Sequence, residues 1–150
     1  MPSMVEAPID IQTIGSILPQ TYPFLLIDRI IEFKKGESLT AIKNITGNEW
    51  MFGVSEGDSV DVFPETLIIE AAAQTALMFY ALNREDPSGK VNVLLGQAKA
   101  EFLRPVTLGD QMILKVLSSR KFGKSGLASL EVSVDQEKAA DIEIFYSLRN

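Results

Sequence analysis

The sequence predicts an α+β fold in which one long helix packs against an antiparallel sheet. Residues 63–83 have the composition of a single helix, because Ala, Leu, Met, Gln and Glu dominate and no Gly or Pro follows Pro64. A predicted hairpin precedes this helix, and strand patterns at hairpin spacing follow it. One helix between separate runs of strands is typical of an α+β layout, whereas a parallel sheet would need alternating strands and helices.

The elements before the long helix are short. Residues 9–18 place isoleucines at helical spacing and end at Pro19, which predicts a short amphipathic helix. Residues 24–33 are a strand candidate whose first half has the apolar pattern of a strand buried on both faces. A turn at 34–37 then leads into a second predicted strand, 38–44, which completes a hairpin.

The long helix carries the most unusual pattern of the chain. Pro64 and Glu65 suit a first helical turn, and a breaker cluster at 86–89 follows the helix end. Nearly every position between is apolar, which predicts a buried helix. Glu70 and Gln74 interrupt it four residues apart, and this spacing places them on one face. Because a carboxylate is rarely buried unless it is hydrogen-bonded or used in chemistry, Glu70 is a candidate functional residue.

The rest of the chain consists of an irregular loop and the late strands. Residues 47–63 contain Trp50 and lead directly into the long helix, which is typical of the wall of a functional site. The strands after the helix alternate apolar and polar residues, which predicts an antiparallel meander with one face against the helix. The predicted strands are 91–97, 112–122, 127–134 and 142–148.

Composition excludes several classes of function. The net charge of −6 disfavours nucleic acids and anionic membranes, so we expect neither as a partner. The chain has no Cys and no His, which removes the commonest soft and imidazole metal ligands, and we expect neither a metal nor a cofactor. The amino terminus carries acids without a basic segment, and the apolar helix is interrupted, so we expect no signal peptide, no membrane span and a cytoplasmic protein.

Five segments, spread along nearly the whole chain, carry a resemblance to a known family. They are LPQTYPFLLIDRI (18–30), NEWMFG (48–53), FPETLIIEAAAQ (63–74), LGQAKAEFLRPVTLGDQ (95–111) and EIFYSL (143–148). In this order they resemble landmarks of the 3-hydroxyacyl-[acyl-carrier-protein] dehydratases of fatty-acid synthesis. The resemblance implies a single hot-dog domain over residues 1–150, with one long central helix wrapped by a curved antiparallel sheet. It also implies a dimer in which two sheets join edge to edge and acyl tunnels lie at the subunit interface.

The chemistry of this family uses a histidine from a GHF-type loop and an acid from the helix of the other subunit. Together they remove the C2 proton and protonate the departing 3-hydroxyl. The resemblance assigns the acid to Glu70 and a helper role to Gln74, but the histidine has no counterpart. Its place falls on Glu56 or Ser55, and the histidine usual before the Tyr–Pro pair is replaced by Gln20. The resemblance thus implies impaired or altered dehydration.

Other candidate residues also have ordinary structural interpretations. The resemblance assigns Lys99 and Arg104 to positions that contact the carrier protein, although both are equally consistent with solvated surface charges. Aromatic residues could line an acyl channel with Gln74, but such residues more often fill gaps in the core. The aromatic candidates for substrate binding are Tyr22, Phe24, Trp50 and Phe52.

Several functions stay open from the sequence. The first is a dehydratase-like protein that binds 3-hydroxyacyl or enoyl thioesters on acyl carrier protein or CoA. The second is a thioesterase in which Glu70 attacks the thioester or activates a water. The third is a non-catalytic subunit that forms a heterodimer with a related dehydratase, in place of a homodimer.

Overall fold

The computed structural model describes residues 6–50 and 61–149, and within them an antiparallel sheet packs around one long helix. Every strand pairing in this sheet is antiparallel, and the predicted α+β layout is confirmed. The elements are α1 (Ile11–Ile17), β1 (Arg29–Lys34), β2 (Ser38–Asn44), α2 (Glu65–Leu82), β3 (Val93–Phe102), β4 (Gln111–Phe122), β5 (Ser125–Val134) and β6 (Glu137–Leu148).

The order of the strands in the sheet differs from their order in the chain. Strands β4, β5 and β6 form the predicted meander, whereas β2 pairs with β4 and β3 lies at the far edge beside β6. The sheet order is β1-β2-β4-β5-β6-β3. The chain therefore leaves the sheet after β2, passes through α2, and returns at the opposite edge.

Helix α2 is buried on almost all sides, as its apolar composition predicted. Every residue from 71 to 79 is buried, and small alanines allow the surrounding strands to approach the helix closely. Asn83 ends the helix: its Nδ2 donates to Phe79 O at 2.7 Å, and its Oδ1 accepts from Gly36 N at 2.6 Å. Neither helix within the described ranges is long and apolar enough to cross a bilayer.

The first strand is shorter than the sequence predicts. Strand β1 begins at Arg29, and residues 24–27 are not part of the sheet. The reason is that the side-chain carboxamide of Gln74 forms hydrogen bonds with Phe24 O and Leu26 N, so these backbone groups pair with the helix and not with a strand. Strand β3, in contrast, is longer than predicted, because it continues beyond the predicted end at Gln97 to Phe102.

Gly126 allows a close approach of two neighbouring strands. A Cβ atom at this position would overlap the ring tip of Tyr146, which is only 3% exposed. Burial also raises the pKa of the Tyr146 phenol above its ordinary value. The ring of Tyr146 therefore occupies the space that any other side chain at position 126 would need.

We expect Gly126→Ala to lower the free energy of unfolding by about 1–3 kcal/mol, because the added methyl overpacks the core against Tyr146. Urea denaturation measures this change. In a Tyr146→Leu background the ring tip is absent, so the same substitution should cost much less. An equal cost in both backgrounds would contradict the assignment of the overlap to Tyr146.

Candidate active site

Glu70 lies on α2, partly buried, and faces the segment that connects α1 to β1. Its Oε1 accepts hydrogen bonds from two carboxamides: Gln74 Nε2 at 3.1 Å and Gln20 Nε2 at 3.4 Å. Its Oε2 accepts no hydrogen bond from any residue that the structure describes. Within the described part of the chain, two carboxamides therefore hold one oxygen of the carboxylate, and the other oxygen has no hydrogen-bond donor.

Gln74 is fully buried, and both the oxygen and the nitrogen of its carboxamide form hydrogen bonds. Besides the bond to Glu70, its Nε2 donates to Phe24 O at 2.8 Å, and its Oε1 accepts from Leu26 N at 2.8 Å. Both hydrogens of the Nε2 group and one lone pair of Oε1 are thus in use. Gln74 both orients Glu70 and fixes the segment before β1 onto the helix.

We expect Gln74→Leu to destabilise the protein by roughly 1–3 kcal/mol, because it leaves the buried Leu26 N–H without a partner and removes the bond to the partly buried Phe24 C=O. The midpoint of urea denaturation measures the loss. Gln12→Leu, at an exposed position of α1, is the matched control and should change stability by less than about 0.5 kcal/mol. Similar losses in the two variants would contradict a special role for the Gln74 carboxamide.

Three of the aromatic candidates, Tyr22, Phe24 and Trp50, lie at the surface rather than in the core. Tyr22 is 90% exposed, Phe24 53% and Trp50 50%, and the rings of Phe24 and Trp50 meet edge to face with centroids 6.0 Å apart. Tyr22 and Trp50 border a cleft of about 470 Å³, but Glu70 does not line it. The structure brings Glu70, Gln74 and Gln20 together and does not bring Tyr22 or Trp50 to them.

A buried ion pair joins β2 to the segment that follows it, and no pattern in the sequence predicted the pair. Lys43 Nζ lies 2.5 Å from Glu49 Oε1, and the two side chains are only 8% and 11% exposed. Lys43 belongs to β2, whereas Glu49 directly precedes Trp50. The pair therefore fixes the position of this segment relative to the sheet.

The two basic candidates have different surroundings. Lys99 is exposed on β3, opposite Glu143 of β6. Arg104 follows β3 and donates from Nη1 to Glu137 Oε2 at 3.0 Å, while its Nη2 lies 3.9 Å from Asp110 Oδ2. An incoming acidic partner would have to compete with these carboxylates for Arg104.

The positions expected to replace the family histidine lie outside the described residues. They are Glu56 and Ser55, and the aromatic candidate Phe52 lies in the same segment. Of the described residues that bond the Glu70 carboxylate, Gln20 is the one that was not predicted as a site residue. The only sequence feature that drew attention to Gln20 was that it replaces the histidine usual in the family before the Tyr–Pro pair.

Comparison with known proteins places this geometry in a family. Residues 18–143 match the family model described as the FabA-like domain. The 3-hydroxyacyl-[acyl-carrier-protein] dehydratase FabZ of Oceanobacillus iheyensis is 38% identical over 141 residues, which cover 94% of this chain and 99% of the relative. FabZ of Staphylococcus carnosus is 36% identical over 148 residues, which cover 97% of this chain and 99% of the relative.

A solved structure supports the fold. The dehydratase heterocomplex ApeI:P from Xenorhabdus doucetiae superposes with a TM-score of 0.75 at 14% identity, covering 92% of this chain and 91% of that chain. At this identity the likeness concerns the fold alone, and it confirms the hot-dog fold that the resemblance implied. The family model and the two FabZ relatives show that the chain belongs to the FabA-like family of 3-hydroxyacyl-[acyl-carrier-protein] dehydratases.

Proposed function

We propose that this protein binds and slowly interconverts 3-hydroxyacyl and 2-enoyl thioesters of acyl carrier protein or CoA, with Glu70 as the reacting acid. The observation that carries the proposal is the state of the Glu70 carboxylate, in which two carboxamides hold Oε1 and no described residue bonds Oε2. The names of the FabZ relatives, which match over almost their full length, supply the substrate class.

Dehydration needs a proton acceptor at C2 and a proton donor at the departing hydroxyl. Within the described part of the chain, the polar side chains bonded to Glu70 are Gln20 and Gln74. A carboxamide neither gains nor loses a proton near neutral pH, and the sequence contains no histidine to do so. Glu70 therefore either performs both proton transfers in turn or shares them with a group outside the described residues, for which the candidates are Glu56, Ser55 and a residue of a second subunit.

The reaction is tested by incubating the purified protein with a 3-hydroxyacyl pantetheine thioester and, separately, with its 2-enoyl counterpart. We expect slow interconversion by the protein alone. Co-expression with a related histidine-bearing dehydratase should raise the rate if a heterodimer completes the site, and size-exclusion chromatography should then show a mixed dimer. Interconversion no faster than in buffer, both alone and in the mixture, would contradict the proposal.

A third incubation, with a saturated acyl pantetheine thioester, separates the thioesterase alternative, which is chemically reasonable because no described residue bonds Oε2 of Glu70. A carboxylate that activates a water would release free thiol from the saturated acyl thioester, which cannot be dehydrated. Thiol release that disappears in Glu70→Gln would favour hydrolysis over dehydration. Thiol release that persists in Glu70→Gln would exclude Glu70 as the hydrolytic group.

A further inference from the structure

The carboxamide of Gln20 lies beside Glu70 with only one of its two ends paired. Its Nε2 donates to Glu70 Oε1 at 3.4 Å, whereas its Oε1 is buried without a hydrogen-bond partner among the described residues. Within those residues it is the one buried side-chain polar atom in this condition. Such atoms are rare in folded proteins, because burial has cost them their hydrogen bond to water. Among the described residues, the site therefore contains an acceptor without a donor.

The orientation of this carboxamide follows from its neighbours. If the group were turned end for end, its oxygen would face the oxygen of Glu70, and two acceptors would then be in contact. Gln74 cannot supply the missing donor, because both hydrogens of its Nε2 are used by Phe24 O and Glu70 Oε1. Among the described residues no donor remains for Gln20 Oε1, so a hydrogen-bond donor on a bound ligand can satisfy it.

We propose that Gln20 Oε1 is the acceptor for the hydroxyl of a bound acyl chain. The inference rests on the proposed function and adds that, of its two ligands, the 3-hydroxyacyl chain binds more tightly than the 2-enoyl chain. A hydroxyl that donates its single hydrogen to Gln20 keeps its lone pairs available for the neighbouring acid, Glu70. A saturated or enoyl chain has no hydrogen to offer and leaves Gln20 Oε1 unpaired. Gln20 is thus a specificity-determining residue.

Access to this oxygen requires only a small adjustment. Gln20 as a residue is partly exposed, although its Oε1 is not. The terminal torsion of a glutamine side chain has a broad range of low-energy values, so rotation can turn the oxygen toward a ligand without moving the backbone, at the cost of lengthening the 3.4 Å bond from Nε2 to Glu70 Oε1. A site built to bond a substrate hydroxyl discriminates against the analogue that lacks it, because the buried acceptor then stays unpaired.

The test measures binding of two amide analogues of acyl-pantetheine, 3-hydroxybutyryl and butyryl, by isothermal titration calorimetry. The amide replaces the thioester so that the ligand is not consumed by the protein. Wild type and the control Gln12→Met should bind the hydroxylated analogue about tenfold more tightly, as expected for one buried hydrogen bond. Gln20→Met, which keeps the length of the side chain but not the carboxamide, should bind both analogues equally. The ratio of affinities within each variant cancels any loss of folded protein.

Equal affinity of wild type for the two analogues would overturn the inference, as would a preference that survives Gln20→Met. A crystal structure with the hydroxylated analogue that shows a water on Gln20 Oε1 and the ligand hydroxyl elsewhere would also overturn it. Failure of both analogues to bind counts against the inference and the proposed function together. If the protein does not interconvert the thioesters but still prefers the hydroxylated analogue, and loses this preference in Gln20→Met, the proposed activity is contradicted and the inference about Gln20 is supported.

Discussion

Replacement of Glu70 by Gln should lower the rate of interconversion between 3-hydroxyacyl and 2-enoyl thioesters by about 100-fold or more, because a positioned acid or base contributes roughly 10²–10⁴ to the rate. The substitution keeps the shape of the side chain and an oxygen that can still accept from Gln20 and Gln74. The fold should therefore be retained while proton transfer is lost. Initial rates in both directions, with circular dichroism to verify folding, measure the effect.

Glu65→Gln is the matched control for this substitution. Glu65 lies in the first turn of the same helix and is exposed, so the loss of its charge should leave the rate within about twofold of wild type. If Glu70→Gln retained as much activity as Glu65→Gln, Glu70 would not be the reacting acid.

The second large effect is expected at the buried ion pair. Lys43→Met should lower the free energy of unfolding by about 3–5 kcal/mol, because it leaves the Glu49 carboxylate buried without its counter-charge. The aliphatic stem of Met fills much of the space of the Lys side chain, so the loss would come mainly from the charge. Urea denaturation at neutral pH measures it.

Two controls isolate the contribution of the charge. Lys34→Met removes a similar side chain from an ion pair with Glu32 in which both partners are more than half exposed, and it should cost less than about 1 kcal/mol. Adding Glu49→Gln to Lys43→Met removes the unpaired carboxylate and should recover part of the lost stability. A small cost for Lys43→Met, or no recovery in the double variant, would contradict this account of the pair.

Elements with a strong local pattern could be predicted from the sequence. The second strand has the predicted bounds, Ser38–Asn44, because it alternates between two turns. The long helix was predicted at 63–83 and runs from Glu65 to Leu82, since Pro64 and Asn83 bound it. Its burial followed from the lack of a polar face. In these elements, local preference and tertiary packing favour the same structure.

The errors arose where distant residues determine the local structure. Residues 24–27 have the composition of a buried strand, but their backbone is bonded by a glutamine from the middle of α2. The second half of β3 is paired on one side only and contains small and charged residues, so it lacks the period that identifies a strand. Gln20 meets Glu70 only in the folded chain, and a single Gln in a polar turn gives no local signal.

The order of the strands also has a consequence for folding. The hairpins β1–β2, β4–β5 and β5–β6 join neighbours in the chain, but β2 and β4 are separated by α2 and β3. Closing that long segment costs chain entropy before the pairing of β2 with β4 offsets it, so we expect these hairpins to form early and the full sheet late. Gln20 and Glu70 belong to parts of the chain that meet only in this late step. A partly folded chain with its hairpins in place would therefore contain much of the sheet and none of the site.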